Sequence, residues 1–174
     1  MGAMSNERPG LDLISHSPQQ TRNVGLHLGQ VLCPGDVVLL FGQIGSGKTL
    51  LTQGLALGLQ IESYVQSPTF TLVVEHEGQT ADGQPVTLYH LDLYRIDDPG
   101  EIDTFGHEEY LDDPNGIVVI EWPERLGAVI PDEHLLITID YLADTKRTLM
   151  FYPRGERYRE RIAAFRKEVF GGNR

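Results

Sequence analysis

The chain has 174 residues, 40% of them apolar and 22% charged, and a net charge of −11. That length suits one domain with a sizeable core, and the composition is unlike that of a disordered chain. The single cysteine, Cys33, excludes an intrachain disulfide and any multi-cysteine metal site. The longest apolar run, Val37 to Phe41, is far too short to cross a membrane, and no basic-then-apolar leader opens the chain. A cytoplasmic protein is expected. Residues 154–174 hold seven Lys/Arg against Glu156, Glu160 and Glu168, so the body of the chain is strongly acidic. Direct, tight binding of nucleic acid by that body is disfavoured. The basic tail has two open readings, a solvated helix face or a contact with RNA or an acidic partner.

In chain order, Met1-Gly2-Ala3-Met4 reads as a vector remnant ahead of a start at Met4, and residues 1–16 are placed ahead of the domain. Ser17-Pro18-Gln19-Gln20 has the signature of a helix entrance: a capping serine, proline at the first position, and a glutamine three residues on. That helix is predicted to reach about Leu32 and stop at Cys33-Pro34-Gly35. Val37–Phe41 reads as a strand buried on both faces, and Lys48–Leu59 as a helix with Leu51, Leu55 and Leu59 inward. Strands follow over 71–76 and 86–93, joined by the polar loop 78–85 with its Asp82-Gly83 turn signal. A short acidic helix over 103–111 leads into the strand 117–120, and 134–142 with 146–152 form a terminal hairpin. A closing basic helix turns Tyr158, Ile162, Phe165 and Val169 to one side. The pattern predicts an α/β fold with a mixed and mainly parallel central sheet flanked by helices, which the glycine-rich Gly42–Thr49 segment makes P-loop NTPase-like. Residues 17–153 form the expected domain, with 154–174 as a basic helix packed on it.

The sharpest motif is Gly42-Gln43-Ile44-Gly45-Ser46-Gly47-Lys48-Thr49, which matches G-x-x-x-x-G-K-[ST]. Glycines let the backbone curl so that successive N–H groups face phosphate oxygens. Lys48 reaches the β- and γ-phosphates, the Thr49 hydroxyl suits Mg²⁺, and the helix that starts here adds its positive end. A strand before the loop and a helix after it are the context that this motif requires. It points to a nucleoside triphosphate without specifying the reaction.

Such a loop needs a carboxylate from a neighbouring strand to help neutralise the metal. Glu121 follows Ile117–Ile120, at the carboxyl end where open sheets bind ligands. An ordinary acidic boundary residue is the competing reading. Asp92 lies in His90-Leu91-Asp92-Leu93-Tyr94-Arg95, where alternation places His90, Asp92 and Tyr94 on one face. Taken alone, that polar trio reads as a solvated edge. Ser67-Pro68-Thr69-Phe70 sits where nucleotide-sensing loops occur, with Thr69 as the candidate contact and a plain turn as the alternative.

Together the Gly42–Thr49 loop, Ser67-Pro68-Thr69-Phe70, His90-Leu91-Asp92-Leu93-Tyr94-Arg95 and Ile120-Glu121-Trp122-Pro123-Glu124-Arg125-Leu126 resemble, in order and spacing, the TsaE family. These are the bacterial tRNA threonylcarbamoyladenosine biosynthesis ATPases, and the likeness covers roughly 17–142. The resemblance implies a small cytoplasmic ATPase, with ATP and Mg²⁺ as cofactors, that works with TsaB and TsaD. That assembly places threonylcarbamoyl on the adenosine beside the anticodon, so tRNA is met only through the complex. No membrane and no stable homo-oligomer are needed. By the same resemblance Lys48 holds phosphates, Thr49, Asp92 and Glu121 arrange Mg²⁺ directly or through water, and Thr69 responds to the nucleotide. Trp122 is left either as a ring stacked near the site or as a packing residue. Leu50 stands where many relatives repeat a threonine, and the 78–85 loop looks longer than is typical.

The implied reaction is hydrolysis of ATP to ADP and phosphate, catalysed by positioning and charge stabilisation. Neither a water-orienting residue nor an arginine finger stands out. Arg95 is a candidate finger or equally a structural ion pair, so slow intrinsic turnover raised by partners is expected. Two rivals are a small-molecule kinase, which would need an arginine-bearing lid, and a nucleotide-gated interaction module. Between residues 49 and 145 only Arg95 and Arg125 occur, and no guanine-reading N-K-x-D segment is present.

Overall fold

The computed structural model describes residues 7–62, 72–98 and 100–171. Val37–Phe41, the apolar run, is β2, and its first four residues are buried as a two-sided strand must be. The other strands are β1 (Leu11–Ser15), β3 (Val73–Gln79), β4 (Pro85–Asp92), β5 (Gly116–Glu121), β6 (His134–Tyr141) and β7 (Arg147–Arg154). They form one seven-stranded sheet in the order β1-β7-β6-β2-β5-β4-β3. β6, β2, β5 and β4 are mutually parallel, and β7, β1 and β3 are added antiparallel at the flanks. The mixed sheet with a parallel centre is the one predicted.

Helices α1 (Pro18–Val31), α2 (Lys48–Gly58) and α5 (Glu156–Phe170) cover one face of the sheet. The opposite face is closed by α3 (Gly100–Phe105), α4 (Glu108–Leu111) and a 3-10 segment, Pro123–Val129. Ser17 caps α1 by accepting from the Gln20 N–H at 3.1 Å, and the Gln20 side chain reaches back to the His16 N–H at 2.8 Å. This is the predicted box, displaced by one residue on its return bond. α1 and α2 pack unusually close. A β-carbon on Gly25 or Gly29 of α1, or on Gly54 or Gly58 of α2, would overlap the backbone of the facing helix, so these four positions permit the distance at which α2 lies.

Four elements differ from expectation. Residues 11–15, placed ahead of the domain, are strand β1 and pair with β7 along its whole length; Leu11 joins the core beneath it. Asp12 alternates with apolar neighbours in a stretch too short to stand out by period alone. The single acidic helix is two, divided at Gly106, whose φ of 77° suits glycine. Thr71 lies outside the described residues, and β3 runs on to Gln79. β4 is an interior strand with β3 outside it, and of the expected polar trio His90 and Asp92 are buried, whereas Tyr94 lies beyond the strand end and is exposed.

The basic tail also has an internal use. Arg157 and Arg161 of α5 donate from their Nε atoms to the two oxygens of Asp36, at 2.6 and 2.7 Å, and the Asp36 side chain is fully buried. Cys33 N–H donates to the same carboxylate at 2.8 Å. The Tyr158 hydroxyl accepts from Val37 N–H at 2.8 Å. Together these bonds fasten α5 to the turn that starts β2, at the end of the sheet opposite the glycine loop. Replacing Asp36 by Ala strands two guanidinium groups, one of them mostly buried, and is expected to cost about 3 kcal/mol. Urea unfolding of Asp36→Ala checks this, and a loss below about 1 kcal/mol would contradict the anchor.

Candidate nucleotide site

The glycine loop leaves β2 at Phe41 and enters α2 at Lys48. Gly45 and Gly47 have φ of 80° and 112°, a left-handed geometry that side-chain-bearing residues resist. No side chain caps α2, so its first N–H groups are available to an anion at a positive helix end. The Lys48 ammonium is bonded to the Gly42 carbonyl and lies 4.0 Å from the centre of the Trp122 ring. Burial pushes its pKa below the ordinary lysine range, opposed by the charges of Glu121, Asp92 and Glu124.

Parallel register brings the carboxylates to the same edge. Asp92 and Glu121 are the last residues of β4 and β5 and are register partners, while Glu121 also pairs with Leu40 of β2. Both are buried, at 6% and 2% exposure. His90, wholly buried on the same face of β4, holds Glu121 through a 2.6 Å bond from Nε2 to Oε2. Asp92 Oδ1 accepts from the Tyr94 N–H at 3.0 Å, and the Tyr94 ring lies 5.0 Å from that of Trp122. Trp122 itself has φ 60°, an uncommon conformation for a bulky residue, which sits just before Pro123.

These groups meet around an open cavity of about 440 Å³ lined by Gly45, Gly47, Lys48, Thr49, Asp92, Tyr94, Glu121 and Trp122, with Ile44 and Leu50 at its margin. Lys48, Thr49, Asp92 and Glu121, drawn from three segments of the sequence, are therefore brought together. Gln43 and Ser46 border a smaller depression of about 290 Å³ behind the loop, and Gly42 supplies the carbonyl that Lys48 holds. Thr69, with Ser67, Pro68 and Phe70, lies outside the described residues. Arg95 does not line the cavity; it borders a separate open depression with Tyr94, Asp97 and Arg125. His90 gives no sign of its role in the sequence, because alternation places it on a polar face without showing that the face is buried or that Glu121 lies beside it.

A family model described as threonylcarbamoyl adenosine biosynthesis protein TsaE matches residues 15–149. The chain belongs to the TsaE family. The family acts in tRNA threonylcarbamoyladenosine biosynthesis. The chain is 38% identical over 136 residues to the TsaE protein of Treponema pallidum, covering 78% of this chain and 96% of that one. It is 37% identical over 142 residues to that of Bacillus subtilis, covering 82% and 85%. The crystal structure of Bacillus subtilis YdiB matches with a TM-score of 0.75 and 30% identity, over 91% of this chain and 95% of that one.

Trp122 is the chain's one tryptophan, so its emission reports on the group beneath it. Lys48→Met removes the ammonium that faces the ring and is expected to change tryptophan emission before any nucleotide is added. An unchanged spectrum would contradict the stacked geometry.

Proposed function

We propose that this chain is a Mg²⁺-dependent ATPase that supports threonylcarbamoyladenosine formation on tRNA as the partner of a TsaB–TsaD complex. The observation that carries the reading is the meeting of Lys48, Thr49, Asp92 and Glu121 around one cavity at the carboxyl edge of the parallel strands. The glycine loop supplies backbone donors for the phosphates, and Lys48 exchanges the Gly42 carbonyl for phosphate oxygens. The cost of burying the Lys48 charge is offset by the carboxylates now and by phosphate when the nucleotide binds.

The donor set suits a hard cation, with a hydroxyl from Thr49 and carboxylates from Asp92 and Glu121. Among the described residues no three His, Cys, Asp or Glu side chains form a complete metal cage. That fits Mg²⁺, which keeps waters and is shared with substrate phosphates. When bound it neutralises charge on the phosphates. Glu121 is held in place by His90, and Asp92 by the Tyr94 N–H, so both carboxylates are preorganised. Among the described residues no arginine or glutamine lines the cavity, so beyond Lys48 no cation stands there to meet charge developing on the γ-phosphate and no amide side chain stands there to orient a water. The chain on its own is accordingly a slow ATPase, with the missing group ordered or supplied by its partner.

The test is ATP turnover with Mg²⁺, for the chain alone and with its cognate TsaB–TsaD pair. The expected result is slow turnover that the pair stimulates, lost on chelation of Mg²⁺ and reduced about a hundredfold or more in Lys48→Ala. Asp92→Asn and Glu121→Gln are expected to lower turnover while still binding ATP without Mg²⁺. Steady turnover indifferent to the pair would contradict the proposal.

A further inference from the structure

One side chain from the far end of the sequence grips the back of the glycine loop. Arg147, the first residue of β7, donates from Nε to the Ser46 carbonyl at 3.0 Å, and its Nη2 lies 3.5 Å from the Gly45 carbonyl. The same guanidinium donates from Nη1 to the carbonyls of Ala143 and Lys146, at 3.0 and 2.9 Å, in the turn between β6 and β7. It also lies 5.1 Å from the centre of the Tyr141 ring. One planar fork therefore joins the β6–β7 turn to the loop, a bond between residues 101 apart in sequence.

We propose that Arg147 is a positioning residue for the phosphate cradle, fixing the Ser46–Gly47 peptide so that its N–H faces the anion. The inference rests on reading the loop as a nucleotide site. A trans peptide is planar, with its C=O and N–H pointing in opposite directions, so holding the Ser46 oxygen fixes the direction of the Gly47 N–H. The two sides of that peptide face different spaces. Ser46 borders the depression beside Ile139, Asp140 and Tyr141, whereas Gly47 borders the cavity with Lys48, Asp92 and Glu121.

The loop needs an outside hold because its glycines give it none. Gly45 and Gly47 permit the curled conformation but permit others equally well. The Ser46 N–H is committed to the Gln43 carbonyl at 3.1 Å, which shapes the turn and leaves the next peptide unfixed. Ser46 Oγ is buried and bonds nothing, so that side chain does not supply the hold. Arg147 does, while staying out of the cavity lining. Its cation behind the loop also favours negative charge in front.

The test uses the full chain with Arg147→Ala and Arg147→Lys. In the nucleotide-free protein, Arg147→Ala is expected to speed amide hydrogen exchange at Gly47 and Lys48 while leaving β2 and β5 protected. By calorimetry with Mg²⁺, both ATP and ADP are expected to bind about tenfold more weakly to Arg147→Ala, because both use the same cradle. Arg147→Lys keeps the charge but loses the fork, and is expected to weaken binding by about threefold. The weakening should enter kcat/KM through KM. A purely structural arginine would lower the melting midpoint and leave loop exchange and nucleotide affinity unchanged. If Arg147→Ala does not fold, the lysine variant carries the same test. Wild-type nucleotide binding with indifferent variants would overturn the role of Arg147 alone. A wild-type chain that binds neither ATP nor ADP would overturn the reading of the loop, and the cradle with it.

Discussion

The parallel register of β2, β5 and β4 is the constraint on which the rest of the site depends. Leu40 pairs with Glu121, and Glu121 with Asp92, so one ladder carries the glycine loop and two carboxylates to a common edge. Parallel strands cannot be joined by tight turns, and here each crossover lays helices over the sheet. The residues that end these strands are thus held by backbone bonds, with little left to the loops. A slip of one residue in β4 would turn His90 and Asp92 to the opposite face and bury Leu91 against α2 instead. The core resists that slip, because Val86 and Leu88 on the α2 face and Leu91 and Leu93 on the other are all buried.

Two further devices keep the edge in order. The close approach of α1 to α2, permitted by Gly25 and Gly54, fixes the axis along which α2 presents its uncapped N-terminus to the loop. At the other end of β2, the Asp36 carboxylate gathers Arg157, Arg161 and the Cys33 N–H. The closing helix is in this way tied to the strand that feeds the loop. The buried acids stand at strand ends, Asp36 just before β2 with its arginine partners and Asp92 and Glu121 closing β4 and β5 at the cavity.

Much of this was legible in the sequence because the signals are local. Val37–Phe41 is a continuous apolar run between turn residues, and the structure places β2 on those five residues. The glycine loop and the residues after it read directly as strand, turn and helix start. Glu121 was legible by its place at the end of an apolar strand. What escaped depends on partners distant in the chain. His90 escaped, and Asp92 stood out only through the family resemblance, because alternation shows that a face is polar but not whether that face is covered. β1 escaped because its pairing with β7 joins residues more than a hundred apart. The arginines of α5 read either as a solvated face or as a contact for an outside partner, since the acid that Arg157 and Arg161 share lies in a turn before β2. Arg147 carried no signal at all, because its acceptors are backbone carbonyls.

The roles of Lys48, Asp92, Glu121 and Arg147 all depend on a nucleotide occupying this edge of the sheet. The most direct measurement is a titration of the isotope-labelled chain with Mg²⁺ and a non-hydrolysable ATP analogue, followed by backbone amide chemical shifts. Saturable changes are expected at residues 42–49, at Asp92 and at Glu121–Trp122, with the Asp36–Arg161 anchor at the far end unmoved. Changes centred elsewhere on the surface, or none at saturating analogue, would contradict nucleotide binding at this edge.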